Sequence, residues 1–329
     1  MRSRWIGFRS PLAEGIRQFL LSKRSLGRKF DSEERSLRAF DAFLVQQGAT
    51  RVGEITPELL DAFLASRSRP RPRSFNAMLS VLRRLFDWLV RQGGLALSPL
   101  RAKPRRETAQ RIPYVFDAAD ARRLLDVAGS LPTRPKAPLR GPTYRAAFAL
   151  LYGLGLRVGE VSRLRRDDVD LARDLLVITG TKFGKTRLVP FGPRIGALLR
   201  SYLALRATQA SAGAPLFSFT RCGTVHVHPG TISRTFHKLV PKLGLVVPPG
   251  VAPPRVHDLR HAFAIGTLLR WYHEGVDPAA RLFHLATFLG HVNPSSTAVY
   301  LTITPELFAA ANRRFEGFAA SPVRREVLP

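Results

Sequence analysis

The first hundred residues carry a single period. Apolar residues recur at helical spacing through Leu12–Leu21, Leu37–Val45, Leu59–Leu64 and Phe75–Leu89, with few β-branched residues between them. Asp31 and Thr56 each precede a Glu-containing first turn and an apolar stripe, which makes them candidate N-caps. Gly48 and Gly93 stand where the second and fourth helices should stop. Between the third and fourth, Arg67-Ser68-Arg69-Pro70-Arg71-Pro72-Arg73 is a charged proline run that cannot itself be helical. A small four-helix domain over residues 1–100 is the expectation.

The period then breaks. Arg101–Arg111 is polar, basic and aperiodic, and residues 101–112 read as an interdomain linker that lies along phosphates. Beyond it the pattern is mixed. Asp117–Ala128 reads as helix, Ser130–Pro142 as a proline-rich loop, and Ala146–Tyr152 as a buried helix leading to Gly153-Leu154-Gly155-Leu156-Arg157. Leu175–Ile178 and Thr186–Val189 read as two strands of a hairpin around Gly180–Gly184. Helices resume over Gly192–Arg206, Thr231–Leu243, Asp258–Trp271, Ala279–Leu289 and Thr304–Phe318. The fold expected is therefore mainly α, with a helical N-terminal domain and a mixed α+β domain over residues 113–303 that holds a small antiparallel sheet. Residues 304–329 follow as a helix and tail.

Charge narrows the partner. Lys and Arg number 52 against 24 Asp and Glu, a net charge of +28. Splitting at Ile112 gives 23 basic and 10 acidic residues before it and 29 and 14 from it onward, so each part is strongly cationic. Such a charge repels itself unless a polyanion relieves it, and neutralised phosphates release counterions. Charge alone does not separate DNA, RNA and an anionic membrane, and arginine-rich composition also follows from genome bias. No apolar run approaches the length of a membrane span. The single cysteine, Cys222, has no internal partner, which suits a reducing cytoplasm.

Five polar features then stand out in order: Arg157, Lys182, His257 with Arg260, His291 and Tyr300. Each has a plain reading of its own. Arg157 ends an apolar helix, and Glu160 three residues on could be a structural partner. The glycines around Arg157 suggest a phosphate-binding loop, but that loop needs a preceding strand where the sequence reads as helix. A lysine at a hairpin tip is ordinarily a solvated turn residue. His257 and His261 share a helix face, but no Glu lies between them and no third ligand follows, so no metal site is expected. The other five tyrosines all have structural readings.

Taken together, the order resembles the tyrosine recombinase (phage integrase) family. The likeness is carried by TYRAAFALLYGLGLRVGE, TKFGKTRLVP, HDLRHAF and LGHVNPSSTAVY, and extends over roughly residues 10–318. It implies a SAM-like core-binding N-terminal domain and an integrase-type catalytic domain, closing as a clamp on duplex DNA. It implies that Arg157 and Arg260 grip the scissile phosphate and that Tyr300 attacks it, leaving a 3′-phosphotyrosine. His257 would assist proton removal, His291 would hydrogen-bond the phosphate, and Lys182 would protonate the departing 5′ oxygen. Lys185 is the rival for that last role, because Asp170–Asp174 shifts the hairpin by about one residue. No cofactor or metal is implied.

Arg69, Arg71 and Arg73, the linker's Lys103 and Arg105, and Lys185 are candidates for phosphate contact; Arg221, Arg234 and Lys238, with Ser233 and His237, resemble the family's major-groove surface. The partners implied are double-stranded DNA and three further copies in a tetramer, with related recombinases or accessory proteins as additional candidates. Leu307, Phe308, Ala311, Phe315 and Phe318 fall on one face of the last helix, which would dock on a neighbouring catalytic domain or fold back on its own. The long Ser130–Pro142 and Glu274–Thr287 segments resemble recombinases of mobile elements more than chromosome resolvases. Rival functions are a type IB topoisomerase, which shares the chemistry, and a non-catalytic DNA-binding accessory protein.

Overall fold

In the computed structural model the described residues are 7–66, 71–106, 111–180, 186–206, 213–291, 293 and 295–302. The chain divides into two units, Met1–Gln110 and Arg111–Pro329.

The first unit is built from α1 (Ala13–Ser25), α2 (Asp31–Gln46), α3 (Pro57–Ala65) and α4 (Pro72–Arg91). Their apolar stripes converge on Phe19, Phe40, Phe63 and Phe86, all fully buried, with Leu20, Leu37, Leu44, Leu82 and Leu85 between them. The Phe40 ring meets those of Phe63 and Phe86 with centroids 4.9 and 6.1 Å apart, tilted and edge-on, an arrangement aromatic quadrupoles favour. Thr56 caps α3, its hydroxyl accepting from the Leu59 amide at 3.3 Å ahead of Pro57.

Two boundaries differ from expectation. Asp31 is the first helical residue of α2 and Phe30 precedes it in left-handed backbone, so the acidic side chain acts on the helix's positive end without capping it. The proline run enters α4 sooner than expected, because Pro72 occupies the helix's first position, where its missing N–H costs nothing. Beyond α4 the basic stretch is pinned down. The Asn76 amide exchanges two 2.8 Å bonds with the Arg105 backbone, and the Arg105 guanidinium lies 4.0 Å from the Phe75 ring centroid.

The second unit contains α5 (Ala118–Gly129), α6 (Arg140–Gly153), α7 (Val158–Arg163), β1 (Val169–Asp170), β2 (Leu175–Ile178) and β3 (Arg187–Pro190). It continues through α8 (Pro193–Ala204), α9 (Pro229–Leu239), α10 (Asp258–His273), α11 (Pro278–Leu289) and the short α12 (Ser295–Ala298). α6 is buried along most of its length, with Arg145 left in solvent near its start, as expected of a central helix. It starts inside the segment read as the Ser130–Pro142 loop, with Pro142 tolerated in its first turn. α9 yields to a 3-10 turn at Val240–Leu243, where Pro241 removes a helix donor.

The sheet has the order β1-β2-β3, antiparallel throughout, with Leu176 paired to Val189 and Ile178 to Arg187. Leu176, Ile178 and Val189 point into the core, the alternation a one-faced sheet requires. β1 is a two-residue edge strand, too short to carry a period of its own.

Candidate active site and nucleic-acid interface

The site forms where α7, β3, α10 and the end of α11 meet. Arg157 opens α7 and its guanidinium donates to Glu160 Oε1 and to the Gly290 carbonyl, both at 2.9 Å. Arg260, in the first turn of α10, is 1% exposed; it donates to the Leu289 carbonyl at 2.7 Å and the Gly155 carbonyl at 2.5 Å. Two guanidinia thus rest on the carbonyls of consecutive residues, 289 and 290. The carbonyls satisfy donors but carry no full charge, and Glu160 is the carboxylate that offsets part of the pair's repulsion. Burial, then the nearby Arg157, lowers the Arg260 pKa to about 10, which still leaves it charged at neutral pH. The Arg260 Nε finds no acceptor among the described residues.

Backbone freedom at two glycines permits this approach. Gly290 ends α11 in left-handed conformation, φ +69°, and a Cβ there would lie 2.8 Å from Arg187 Nη1. Gly155, φ +59°, presents its carbonyl to Arg260 while a Cβ would lie 2.6 Å from the Phe263 ring.

Glu160 supports the arginine side. It is buried and bridges Arg157 to Arg187, whose guanidinium reaches both carboxylate oxygens at 3.0 and 2.8 Å. Burial pushes its pKa up, but the hydrogen bonds and charges of Arg187 and Arg157 overcome this and hold it at about 2. Arg187 also donates to the Phe288 carbonyl at 2.9 Å, tying β3 to α11.

Two histidine rings meet the tyrosine, and a third packs against one of them. Tyr300 lies on a 3-10 turn (Val299–Thr302) and is 3% exposed, packed with Ala264, Ile265, Leu268, Leu285 and Leu289. Burial raises its pKa, and Arg260 and Arg157 oppose that rise. Its hydroxyl is 3.0 Å from His261 Nδ1. The His291 ring lies nearly parallel to the Tyr300 ring at 6.3 Å between centroids, and its Nδ1 is 2.6 Å from the buried Thr297 hydroxyl. Burial, then Arg260 and Arg157, lowers the His291 pKa to about 4. His257 sits at the exposed start of α10 with its ring edge-on to His261, centroids 4.8 Å apart. Desolvation of the ring, then His261 and Arg260, lowers its pKa to about 4 as well.

Arg157, Arg260, His257, His291 and Tyr300, expected to act together, therefore lie close to one another. Lys182, Lys185 and Arg69 lie outside the described residues, as does the helix expected over Thr304–Phe318. Arg71, Arg73, Lys103 and Arg105 are exposed on the first unit; Arg221, Arg234 and Lys238 are exposed on the second, the last two on α9 with His237. No group of three or more potential metal ligands occurs among the described residues. Nor does any described helix reach the length and apolarity needed to cross a membrane.

Sequence reasoning misses three contributors. Arg187 reads as an ordinary strand residue, although an arginine at the start of a short core-packed strand needs an acidic partner. Thr297 gives no signal. His261 reads only as half of a metal pair, although its i,i+4 spacing from His257 already places both rings on one face.

Comparison with known proteins agrees with this architecture. Residues 115–306 match the phage integrase family, and residues 32–93 match the phage integrase N-terminal SAM-like domain. The chain is 37% identical over 316 residues to a Sinorhizobium fredii protein named integrase/recombinase y4rB, covering 93% of this chain and 98% of that one. It is 32% identical over 304 residues to tyrosine recombinase XerC of Brucella suis, covering 89% and 90% respectively. A lambda integrase tetramer bound to a Holliday junction shares the fold with a TM-score of 0.63 at 18% identity, over 88% of this chain and 76% of that chain. The Tn1549 transposon integrase in complex with transposon right end DNA does so with a TM-score of 0.60 at 15% identity, over 93% and 99%. The chain belongs to the phage integrase family of tyrosine recombinases.

Proposed function

We propose that the protein is a site-specific DNA recombinase that cuts and rejoins strands through a 3′-phosphotyrosine intermediate and a Holliday junction. The observation that carries this reading is a buried tyrosine, Tyr300, under the charges of Arg260 and Arg157, two guanidinia that rest on the adjacent carbonyls of Leu289 and Gly290. Arg157 and Arg260 bind the non-bridging oxygens of the scissile phosphate, and their fixed charge counts most as the pentacoordinate transition state gains negative charge. Tyr300 attacks phosphorus and the 5′ oxygen departs, protonated by Lys182 or by its rival Lys185. His291 donates to a phosphate oxygen, its orientation fixed by Thr297. His257 is one ring removed from the nucleophile and assists through His261. The phosphotyrosine bond conserves the energy of the phosphodiester, so rejoining needs no nucleotide cofactor, and side chains supply the positive charge that the chemistry needs.

Arg69, Arg71, Arg73, Lys103 and Arg105 bind phosphates from the N-terminal domain, while Arg221, Arg234 and Lys238 approach the groove from the catalytic domain. Phosphate contacts of this kind fix position and do not read sequence. Four copies assemble on two duplexes in the cytoplasm, linked through residues 304–329.

The test is Tyr300→Phe, which removes a hydroxyl and no charge. Binding to duplex DNA should persist within about twofold while covalent protein–DNA adducts disappear, the retained charge keeping the electrostatic affinity. Adducts that persist in the variant would overturn the assignment. Cleavage by the natural protein should also survive excess EDTA, and a strict divalent-metal requirement would contradict a mechanism run on arginine charge.

A further inference from the structure

We propose that His261, rather than His257, takes the proton from Tyr300, with Asp258 setting its tautomer. The inference rests on Tyr300 being the nucleophile and goes beyond it by assigning the base. Tyrosine is mostly protonated at neutral pH, and burial of Tyr300 raises its pKa further, so attack needs an acceptor in contact with the hydroxyl.

His261 Nδ1 is in contact, at 3.0 Å, with the rings inclined by 62° and their centroids 5.4 Å apart. His257 stands behind His261, its ring packed against that imidazole. His291 faces the Tyr300 ring, but its Nδ1 is already engaged by Thr297.

The tautomer follows from the other nitrogen. His261 Nε2 lies 4.0 Å from Asp258 Oδ1, too far for a hydrogen bond but close enough for that carboxylate to act on the ring. That negative charge favours the proton on Nε2 and leaves the Nδ1 lone pair directed at the tyrosine. Asp258 is itself immobile. It is fully buried, accepts from Arg111 at 2.9 and 2.8 Å, and accepts from the Arg255 amide at 2.9 Å.

Charges around His261 compete. Burial, Arg255, Arg260 and Arg111 disfavour the imidazolium, and Asp258 favours it. His257 and His291 are the other titratable rings nearby. The resting ring is neutral, as an acceptor must be.

In the forward step the Tyr300 proton passes to His261 Nδ1 as the bond from the tyrosine oxygen to phosphorus forms. The bond from phosphorus to the 5′ oxygen breaks, and that oxygen takes a proton from the lysine. On rejoining, the 5′ hydroxyl gives its proton back to the lysine as it attacks phosphorus, the bond from phosphorus to the tyrosine oxygen breaks, and His261 returns the proton to that oxygen.

The experiment compares His261→Asn with His257→Asn in the full-length protein. Asn at 261 places an acceptor oxygen near the position of Nδ1 but takes up no proton. The probe is a duplex selected by binding from a randomised library, made with either oxygen or sulfur as the 5′ bridging atom at the mapped cleavage position. Sulfur leaves without protonation, so it bypasses the acid and keeps the demand for a base. Adduct formation by His261→Asn should be slower by about 10²-fold or more on both probes, the range general bases supply. Its rate should rise tenfold per pH unit through pH 9, while the natural protein's profile is flatter.

A His261→Asn rate within threefold of the natural one, or the steep profile appearing in His257→Asn instead, would overturn the assignment. His261→Gln provides a second variant if the first binds DNA poorly. Tyr300→Phe is run alongside: adducts there would remove the nucleophile itself, whereas an inert Phe variant with a normal His261→Asn rate would remove only the base.

Discussion

The two units carry a similar excess of positive charge and dispose of it differently. In the first, the largest buried side chains are phenylalanines, and the basic residues Arg71, Arg73, Lys103 and Arg105 stay in water. In the second, Arg260 is among the largest fully buried side chains, Arg206 is 3% exposed, and Glu160 and Asp258 are buried beside their partners. The physical difference is dielectric. A surface arginine attracts a polyanion through screened water, which suffices to hold DNA but distinguishes little between ground and transition states. A desolvated guanidinium interacts far more strongly with charge that develops beside it, and its fixed position costs no reorganisation at the moment of reaction. All eight histidines also fall within residues 226–291, so every imidazole belongs to the second unit.

The comparison breaks first at Arg260. Arg260→Ala should slow adduct formation by about 10³-fold or more, since it removes a charged donor from the developing negative charge. It also strands the Gly155 and Leu289 carbonyls, so a loss of stability should accompany it. Single-turnover cleavage and urea unfolding read the two effects. A variant that cleaves within tenfold of the natural rate would show that buried charge is structural here.

Glu160→Gln should come next, costing about 3–5 kcal/mol because Arg157 and Arg187 are left facing one another without their shared carboxylate. A cost below ~1 kcal/mol would place this pair with ordinary surface ion pairs.

The clustering of Arg157, Arg260, His257, His291 and Tyr300 was legible because the family resemblance fixes residue types in a set order along the chain. The longer helices were legible for a different reason, since most bury a stripe that repeats at 3.6 residues, whereas the six-residue α7 and four-residue α12 were not read. Pairings between distant segments were not legible. Nothing local in Arg187 points to Glu160, and nothing in Thr297 points to His291, since those pairings exist only once β3, α7, α11 and α12 have packed. The entry into α4 was misjudged because proline ends helices in their interior and begins them at the first position, and sequence alone did not say which applied to Pro72. β1 escaped because two residues cannot display a period of two.

Acid should separate the units. His261 and His291 are held near 4, by burial first, against an ordinary value of 6.5. Their neutral forms belong to the folded state, so the stability they contribute is complete above about pH 6.5 and is lost as pH falls toward 4. The second unit should lose on the order of 2–4 kcal/mol across that window, allowing for ring edges that still meet water. The shift of His257, exposed at the start of α10, is screened by solvent and adds little to this. The first unit has no histidine and should stay level until its carboxylates titrate, with Glu34, lowered by Arg24 and Arg38 against its own desolvation, among the last. Hydrogen exchange read by mass spectrometry follows both units in one sample. Parallel softening of the two would mean that the histidines are not desolvated in the folded protein.

The smallest effects belong to the surface arginines of the first unit. Arg71 and Arg73 flank Pro72 at the start of α4, both exposed. The helix's positive end and the two guanidinia together favour a phosphate there. Among the described residues neither side chain is held by a network that would aim it at a base edge, so each should contribute affinity without sequence preference. Arg71→Ala and Arg73→Ala should each weaken duplex binding less than tenfold, by a similar factor on any sequence. Removing one phosphate-neutralising charge lowers the slope of log affinity against log salt by about 0.9. Adduct formation at saturating protein should be unchanged, which is the point of contrast with Arg260. A change in sequence preference would mean that this end of α4 enters a groove, and the division of labour between surface and buried arginine would then need redrawing on the N-terminal side.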